Sequence, residues 1–368
     1  MRIIESNKFL IIKMKKITNC FVIFTVIFAL ANFQAVTAQD ADSTKNIIQA
    51  LKLIHTPDPA FKPYHSPHMS AKQLADMGFE QVYKSTQVNF LMRDGKHLSA
   101  QKFSCNTNVT ILLLHGVLSN SYMMNKMAGL LREATNAEII ALDFRGHGQS
   151  GGKAGDVDYI DQYADDLADV LTSIKKERPA NKIIIAAHSM GGGIALRYAM
   201  KKNVPQANGY ILFAPLLGQN SPTLPTAPVT NSDTSVEPFL KIQISRIIGL
   251  KMLNAAGNHN YDYLPVLFFN LPDDIPFKNY TYRANESMSP ADYREGLKAV
   301  NAPLLVLVGS EDEAFTANAF KPAITNYSKG AVIIINGATH EGIRHNQEAM
   351  MAVKNWAKKF NLSGIIKP

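Results

Sequence analysis

Apolar residues along this chain form short continuous runs separated by longer amphipathic stretches. Such runs are typical of strands covered on both faces of a sheet. Helical spacing of apolar residues predicts helices over Asp158–Lys176 and Gln347–Phe360. Because strands and helices alternate, we expect a mostly parallel α/β sheet with helices on both faces. The predicted buried strands are Val109–Leu114, Glu138–Leu142, Lys182–Ala187, Tyr210–Phe213, Leu304–Val308 and Ala331–Ile335.

The segment before these runs has a different pattern. Residues 39–80 are mostly polar and predict an N-terminal arm with a short helix near Ala71–Met77. Val82–Met92 and His97–Phe103 alternate around Asp94-Gly95, a dipeptide typical of a hairpin turn. We therefore expect an antiparallel start to the sheet, in a main domain over residues 81–368.

One stretch interrupts the alternation of strands and helices. Leu216–Val300 places about 85 residues between two predicted core strands, far more than an ordinary loop, so we expect an inserted subdomain at about 216–300. Within it, Phe239–Met252 is predicted to be a helix, and Tyr261–Pro276 is an apolar run with prolines. This apolar surface suits either an acyl-chain pocket or simple packing onto the core.

A row of acids is predicted on the helix over Asp158–Lys176. Asp161, Asp165, Asp166 and Asp169 lie away from its apolar positions. We interpret the row as a solvated helix face rather than a metal site.

Composition narrows the class of protein. The chain has 368 residues, of which 46% are apolar and 18% charged, which is typical of a globular protein. Its net charge is +8, but without residues 1–38 it has 33 basic and 29 acidic residues, or +4. So small an excess gives no indication of nucleic-acid binding. No stretch reaches the roughly 20 apolar residues of a membrane span, which excludes a polytopic membrane protein.

Residues 1–38 have the pattern of a secretory signal peptide. Lys15 and Lys16 precede the apolar run Cys20–Leu30, and small residues end the segment at Ala38. We expect cleavage after Ala38 and export to a periplasm or the exterior. An uncleaved membrane anchor is the alternative, although a run of 11 residues is short for the roughly 30 Å hydrocarbon layer. After cleavage, the mature chain would contain no stable membrane span.

Two further points concern the same region. Met1 and Met14 are both candidate start residues. Cleavage would leave Cys105 as the single cysteine, so the exported chain is expected to contain no intramolecular disulfide.

A candidate nucleophile follows the predicted strand Lys182–Ala187. The sequence there is AHSMG, close to the pattern G-x-S-x-G, with Ala187 in the first glycine position. In that pattern the serine stands on a sharp strand-to-helix turn, and its neighbours must be small because the backbones nearly touch. We therefore predict that Ser189 is a nucleophile. The alternative is a serine that caps a helix before glycines needed only for packing.

A serine nucleophile needs a histidine to accept its proton and an acid to orient that histidine. The last two predicted strands lead into Asp312 and His340, in the order expected for this fold. Glu311 and Glu313 are competitors for the acid, and His345 competes with His340 for the base. Asp312 could instead cap a helix over Ala314–Tyr327, and His340 could be an exposed loop histidine.

Acyl transfer also needs two donors for the developing oxyanion. The backbone N–H groups of Val117, after a buried strand, and Met190, directly after Ser189, are the predicted donors. Three further histidines are interpreted as structural: His115, His147 and His188.

Together these motifs resemble the α/β-hydrolase fold enzymes, and most closely the monoacylglycerol lipase, lysophospholipase and serine aminopeptidase-like group. The resemblance spans about residues 82–360. It implies a Ser189–His340–Asp312 triad, an oxyanion hole at Val117 and Met190, and a cap formed by the insertion. Ala187 departs from the family pattern, and the insertion does not align with a lipase cap. The motifs are HGVLSNS at 115–121, DFRGHGQSGG at 143–152, AHSMGGG at 187–193, FAP at 213–215, GSEDEAF at 309–315 and GATHEG at 337–342.

We therefore expect an exported serine hydrolase of carboxylic esters, with lipid or other apolar acyl groups as its substrates. The expected partner is a small-molecule or lipid ester, and no sequence pattern indicates an oligomeric state. No zinc spacing, Walker loop or dinucleotide fingerprint occurs, so we expect neither metal nor cofactor. The alternatives are an amide or peptide hydrolase, a lyase or peroxidase on the same fold, and a binding protein without activity.

Overall fold

The computed structural model describes residues 44–63, 70–225, 237–273, 275 and 277–364. The predicted signal peptide at 1–38 lies outside the described residues. Within the described ranges, no helix is long and apolar enough to cross a membrane.

An eight-stranded sheet forms the centre of the fold, in the order β1-β2-β4-β3-β5-β6-β10-β11. β1, β2 and β4 pair antiparallel, and all other neighbours pair parallel. β3 and β4 are buried at every position. The predicted sheet with its antiparallel start is confirmed. Its strands are β1 Thr86–Leu91, β2 His97–Phe103, β3 Val109–Leu114, β4 Glu138–Leu142, β5 Lys182–His188, β6 Gly209–Phe213, β10 Leu304–Glu311 and β11 Ala331–Thr339.

Helices cover both faces of this sheet. The chain moves from β3 to β4 in one direction and from β4 to β5 and β6 in the other, so right-handed crossovers place α3 on one face and α4 and α5 on the opposite one. A short 3-10 helix, Gly342–His345, precedes α10. The helices are α1 44–54, α2 Ala71–Met77, α3 Asn125–Thr135, α4 Gln162–Glu177, α5 Met190–Ala199, α6 Ile244–Ala255, α7 Tyr282–Ser287, α8 Tyr293–Lys298, α9 Ala317–Thr325 and α10 Gln347–Lys359.

The stretch predicted as an insertion contains a second, three-stranded antiparallel sheet. Its strands are β7 Leu240–Ile242, β8 Pro265–Phe269 and β9 Asn279–Thr281, with β8 in the middle. The predicted helix over Phe239–Met252 is therefore wrong in its first turn, because pairing with β8 extends the chain and α6 begins only at Ile244. That the insertion forms a cap stays a prediction.

Helix α4 also begins later than its apolar spacing indicates. Asp161 has φ +93°, a left-handed conformation that a helix cannot continue through. The backbone N–H of Asp158 is instead satisfied by the side chain of Gln162, at 2.6 Å. The hydrophobic pattern thus extends into a turn outside the helix, where the N–H of Asp161 donates to Ser287 Oγ of a distant segment at 3.0 Å.

The acid row on α4 is not a solvated face. Asp166 is buried, and its carboxylate forms a two-point ion pair with the buried guanidinium of Arg145, with N–O distances of 2.6 and 2.9 Å. The spacing alone could not identify these partners because they come from other elements. The remaining pairs are Asp161 with Arg197 and Lys201, Asp165 with Lys201 and Arg93, and Asp169 with Arg93.

The described chain divides into two compact units. One is helical and contains residues 44–58 and Ile244–Tyr261. Inside it, Arg246 donates to the carbonyl of Ile54 at 3.0 Å and pairs with Asp58 at 2.6 Å. The other unit contains both sheets and every residue of the candidate site.

Candidate active site

Ser189 lies at a sharp turn between β5 and α5. β5 ends at His188 and α5 begins at Met190, so one residue makes the whole change of direction. The backbone of Ser189 has φ 52° and ψ −117°, a strained conformation for a residue with a side chain. Its N–H donates to the carbonyl of Phe213 in β6 at 3.0 Å, which holds the turn against the sheet.

The glycines after Ser189 allow α5 to approach the sheet. A Cβ at Gly191 would lie 2.7 Å from the backbone oxygen of His115, which real Cβ atoms essentially never do. Ala187, which replaces the expected glycine two residues before the serine, is completely buried between β3 and β6. Its small methyl group is accommodated there, so this departure leaves the turn intact.

Asp312 and His340 meet directly. His340 Nδ1 lies 3.0 Å from Asp312 Oδ2 and 3.1 Å from Oδ1. The side chain of Asp312 is fully buried, and its Oδ1 also accepts the N–H groups of Ala314 and Phe315 at 2.9 and 2.8 Å. These bonds hold the carboxylate in one orientation toward the imidazole.

The competing residues have other partners. Glu311 is exposed and pairs with Lys72 at 3.1 Å. Glu313 Oε2 accepts the backbone N–H of His340 at 2.9 Å, so it orients the loop rather than the ring. His345 lies at the end of the 3-10 helix and has no hydrogen-bond partner for its ring within the described part of the chain.

The environment of His340 favours its protonated form. Burial disfavours the charge, but the hydrogen bond to Asp312 and the charge of its carboxylate outweigh burial and raise the pKa of His340 above 6.5. A histidine of this kind can accept a proton and be stabilised once it holds it.

The turn at Ser189 is in contact with the histidine loop, that is, residues 337–342, which include the end of β11 and His340. His188 Nε2 donates to the backbone carbonyl of His340 at 3.0 Å, and the two rings lie 4.7 Å apart. Burial lowers the pKa of His188 well below its ordinary value, so its ring is neutral. This hydrogen bond joins the residue before Ser189 to the loop that presents His340.

The loop after β3 lies against Ser189. A Cβ at Gly116 would be 3.3 Å from Ser189 Cβ. His115 holds the loop, since its Nδ1 donates to the carbonyl of Gly116 at 2.7 Å and its Nε2 accepts the N–H of Phe144 at 3.1 Å. Val117, the predicted oxyanion donor, follows Gly116 directly, and Met190 begins α5 on the other side of Ser189.

Two sets of contacts around the site have no signal in the sequence. Helix α2 of the N-terminal arm touches the histidine loop, where Thr339 Oγ1 donates to Asp76 Oδ2 at 2.8 Å. Tyr280 of β9 touches the loop after β3, where its hydroxyl accepts the N–H of Leu118 at 2.9 Å. Both partners are distant along the chain, so no motif or spacing could indicate them.

Within the described residues, one group of potential metal ligands stands out. It contains His188, His340 and Glu341, whose ligand atoms lie within 4.8 Å of one another. His188 Nε2 already binds the carbonyl of His340, and His340 Nδ1 binds Asp312. The two rings therefore connect the loops of the site through hydrogen bonds to the protein.

Comparison with known proteins supports the class of protein that the sequence motifs resemble, the α/β hydrolases. A model of the family Hydrolase_4, serine aminopeptidase S33, matches residues 106–256. A monoacylglycerol lipase of Mycolicibacterium smegmatis is 26% identical over 213 residues, 55% of this chain and 69% of that protein. A monoglyceride lipase of Rattus norvegicus is 28% identical over 138 residues, 37% of this chain and 45% of that protein.

Solved structures agree on the fold. An esterase of Pyrococcus furiosus superposes with a TM-score of 0.50 at 16% identity, covering 83% of this chain and 99% of that one. The α/β hydrolase GrgF from Penicillium superposes with a TM-score of 0.52 at 16% identity, covering 75% and 97%. This chain has the α/β-hydrolase fold, and its resemblance to the monoacylglycerol lipase-like group is confirmed. The comparisons support a hydrolase of the esterase or monoacylglycerol lipase type.

Proposed function

We propose that this protein is an exported serine hydrolase that cleaves carboxylic esters of lipid or other apolar acyl groups. The observation that carries the proposal is the buried Asp312–His340 hydrogen bond beside a serine held on a strained strand-to-helix turn. The similarity to lipases supports an ester substrate.

The proposed reaction has two halves. Ser189 Oγ attacks the ester carbonyl while His340 Nε2 takes its proton, and the backbone N–H groups of Val117 and Met190 stabilise the oxyanion. The carbon–oxygen bond then breaks, and His340 returns the proton to the leaving alcohol. A water molecule attacks the acyl-enzyme in the same way and releases the acid. Throughout the reaction, Asp312 accepts the hydrogen bond of the protonated Nδ1, so Nε2 is the nitrogen that takes and returns the proton.

Labelling of the purified chain from Gln39 with a fluorophosphonate probe tests this proposal. We expect labelling of the wild type, and none of Ser189→Ala or His340→Ala. Ser328→Ala is the matched control, since this serine caps the end of α9 by donating to Ile324 at 2.9 Å, and it should label normally. An unlabelled wild type that also leaves p-nitrophenyl butyrate intact would favour a binding protein without activity.

An amide or peptide substrate is the second candidate, because the matching family model is that of a serine aminopeptidase. The same triad cleaves both bonds. Parallel assays with p-nitrophenyl butyrate and aminoacyl p-nitroanilides separate the two functions. We expect the rate enhancement over uncatalysed hydrolysis to be larger for the ester than for the anilides. A larger enhancement for the anilides would assign a peptidase.

We further propose that the insertion at about 216–300 caps the site and that residues 1–38 direct export. Tyr280 supports the first proposal because it reaches the loop beside Ser189 from β9. Mass spectrometry of the exported protein tests the second. An N-terminus at Gln39 is expected, whereas a membrane-bound chain that keeps residues 1–38 would favour the anchor.

A further inference from the structure

Tyr280 is a buried tyrosine of the insertion that touches two motifs of the main sheet. Its side chain is completely buried in β9. Its hydroxyl oxygen lies 2.9 Å from the backbone nitrogen of Leu118 and 2.8 Å from His147 Nε2. Leu118 follows the predicted oxyanion donor Val117, so the hydroxyl binds the next peptide group of the same loop.

The directions of these hydrogen bonds follow from the chemistry of His147. Its Nδ1 lies 2.9 Å from the carbonyl of Arg145, which can only accept, so Nδ1 carries the proton. Burial lowers the pKa of His147 to about 3, so the ring is neutral and Nε2 is an acceptor. Tyr280 therefore donates to His147 and accepts from Leu118, and the hydroxyl has a partner in each role.

The ring of Tyr280 is held as firmly as its hydroxyl. It packs edge-on against Phe277 and Phe269, with ring centroids 4.8 and 5.9 Å away. The next residue, Thr281, donates through its hydroxyl to Asp156 at 2.7 Å. β9 thus presents the hydroxyl at a defined place beside the loop.

The loop needs such a partner. Leu118 has φ 56°, a left-handed conformation that costs a residue with a side chain free energy and persists only when its surroundings enforce it. His115 holds the loop at its beginning through the N–H of Phe144. The hydroxyl of Tyr280 holds it at Leu118, and Val117 lies between these two points.

We propose that Tyr280 is a positioning residue that orients the N–H of Val117 toward the oxyanion by holding the Val117–Leu118 peptide group. This inference rests on the proposed function. Its consequence is that the insertion takes part in catalysis through one hydrogen bond, separately from any contact with the acyl chain.

The decisive variant is Tyr280→Phe, which keeps the ring and removes the hydroxyl. Loss of a complete oxyanion donor lowers kcat by about 10²–10³-fold, so a displaced donor should lower it by about 10-fold or more. We expect kcat for p-nitrophenyl butyrate to fall by this factor while KM changes by less than about threefold, since the ground state makes little use of the oxyanion hole.

Tyr163→Phe is the matched control. Tyr163 is also completely buried and contacts Phe144, but its hydroxyl has no hydrogen-bond partner within the described residues. The kcat of the Tyr163→Phe variant should equal that of the wild type. Equal losses in both variants would mean that any buried hydroxyl in this region matters, which would overturn the inference.

Amide hydrogen exchange at Leu118 supplies a readout that does not depend on activity. In the wild type this amide should exchange as slowly as amides of β3, and in Tyr280→Phe it should exchange much faster. If Tyr280→Phe does not fold, the wild type decides, because rapid exchange at Leu118 would show that the hydroxyl does not hold the loop.

The outcomes separate this inference from the proposed function. A wild type that neither labels nor hydrolyses the ester overturns both. An active wild type with an equally active Tyr280→Phe variant overturns only the role of Tyr280. Faster exchange at Leu118 with unchanged kcat has the same meaning, because the held peptide group would then not matter for the reaction.

Discussion

The two sides of the candidate site are built differently. Ser189 follows β5, a central strand with parallel neighbours on both sides. Asp312 and His340 follow β10 and β11, the last two strands of the sheet, and among the described residues β11 has a neighbouring strand on one side only. β5 is buried at every position after Lys182, whereas β11 has exposed residues along its length.

This difference changes what holds each side. The conformation of Ser189 comes from the end of β5, the start of α5 and the glycines that follow, together with the hydrogen bond of its N–H to Phe213 in the neighbouring strand β6. The histidine loop instead receives support from distant residues, among them Asp76 in α2. A central strand can position a nucleophile through its own packing, whereas a loop at the edge of a sheet needs additional contacts.

The largest expected effect concerns the pairing of Asp312 with His340. Asp312→Asn should lower kcat on the order of 10⁴-fold, because the neutral amide permits the wrong tautomer of His340. It should also move the acid limb of the pH–rate profile to lower pH. His340 must be neutral to accept a proton, Asp312 raises its pKa above 6.5, and removing that charge lowers the pKa again.

The matched control for this prediction is Glu311→Gln, on the exposed residue next to Asp312. Its kcat and its acid limb should stay close to those of the wild type. If this variant reproduced the loss, the acid would be assigned to the wrong residue.

The second prediction compares one glycine from each side. Gly191→Val should destabilise the fold by about 3 kcal/mol or more, because its side chain would overlap the backbone of His115. Gly337, in the histidine loop, has φ +69°, and an added Cβ would meet only Glu311 Oε1, at 4.0 Å, so Gly337→Ala is expected to cost only about 1 kcal/mol of backbone strain. Urea unfolding measures both, and equal losses would contradict the contrast between the two sides.

A smaller effect is expected where α2 supports the histidine loop. Asp76→Ala removes the acceptor of the Thr339 hydroxyl, which lies 2.8 Å away, and should lower kcat about tenfold, or 1.4 kcal/mol in activation free energy. KM should change little. Asp76→Asn keeps an acceptor oxygen and should recover most of the activity, so an equally impaired Asn variant would argue against this contact.

The smallest effect is expected at Lys72. Its ion pair with Glu311 is exposed on both sides, at 59% and 57% of the side-chain surface. Exposed pairs contribute about 0–1 kcal/mol, so Lys72→Met should change kcat by less than about threefold. Kinetic assays at low and high salt check this, since screening should remove whatever difference remains. A large loss would mean that α2 acts through charge rather than through Asp76.

Sequence patterns were sufficient to predict the central strands, whereas the assignment of the site residues stays a prediction. The runs at β3 and β4 were predicted with their observed bounds because strands covered on both faces leave a continuous apolar signal. Ser189 could be singled out for a related reason, since the turn requires small residues at specific nearby positions. The sequence favoured Asp312 over Glu311 and Glu313, and the structure places its carboxylate 3.0 Å from His340 Nδ1, while its role as the catalytic acid stays a prediction.

The features that follow from the sequence alone are therefore local: the buried strands, the small residues around Ser189, and the order of Asp312 and His340 along the chain. Contacts between distant segments come from the tertiary structure. It converted the start of a predicted helix into β7, paired the buried Asp166 with Arg145, and brought Asp76 and Tyr280 to the loops of the site. The physical reason is that hydrophobic periodicity records the burial of each element, whereas a hydrogen bond between distant residues depends on where the whole chain places them.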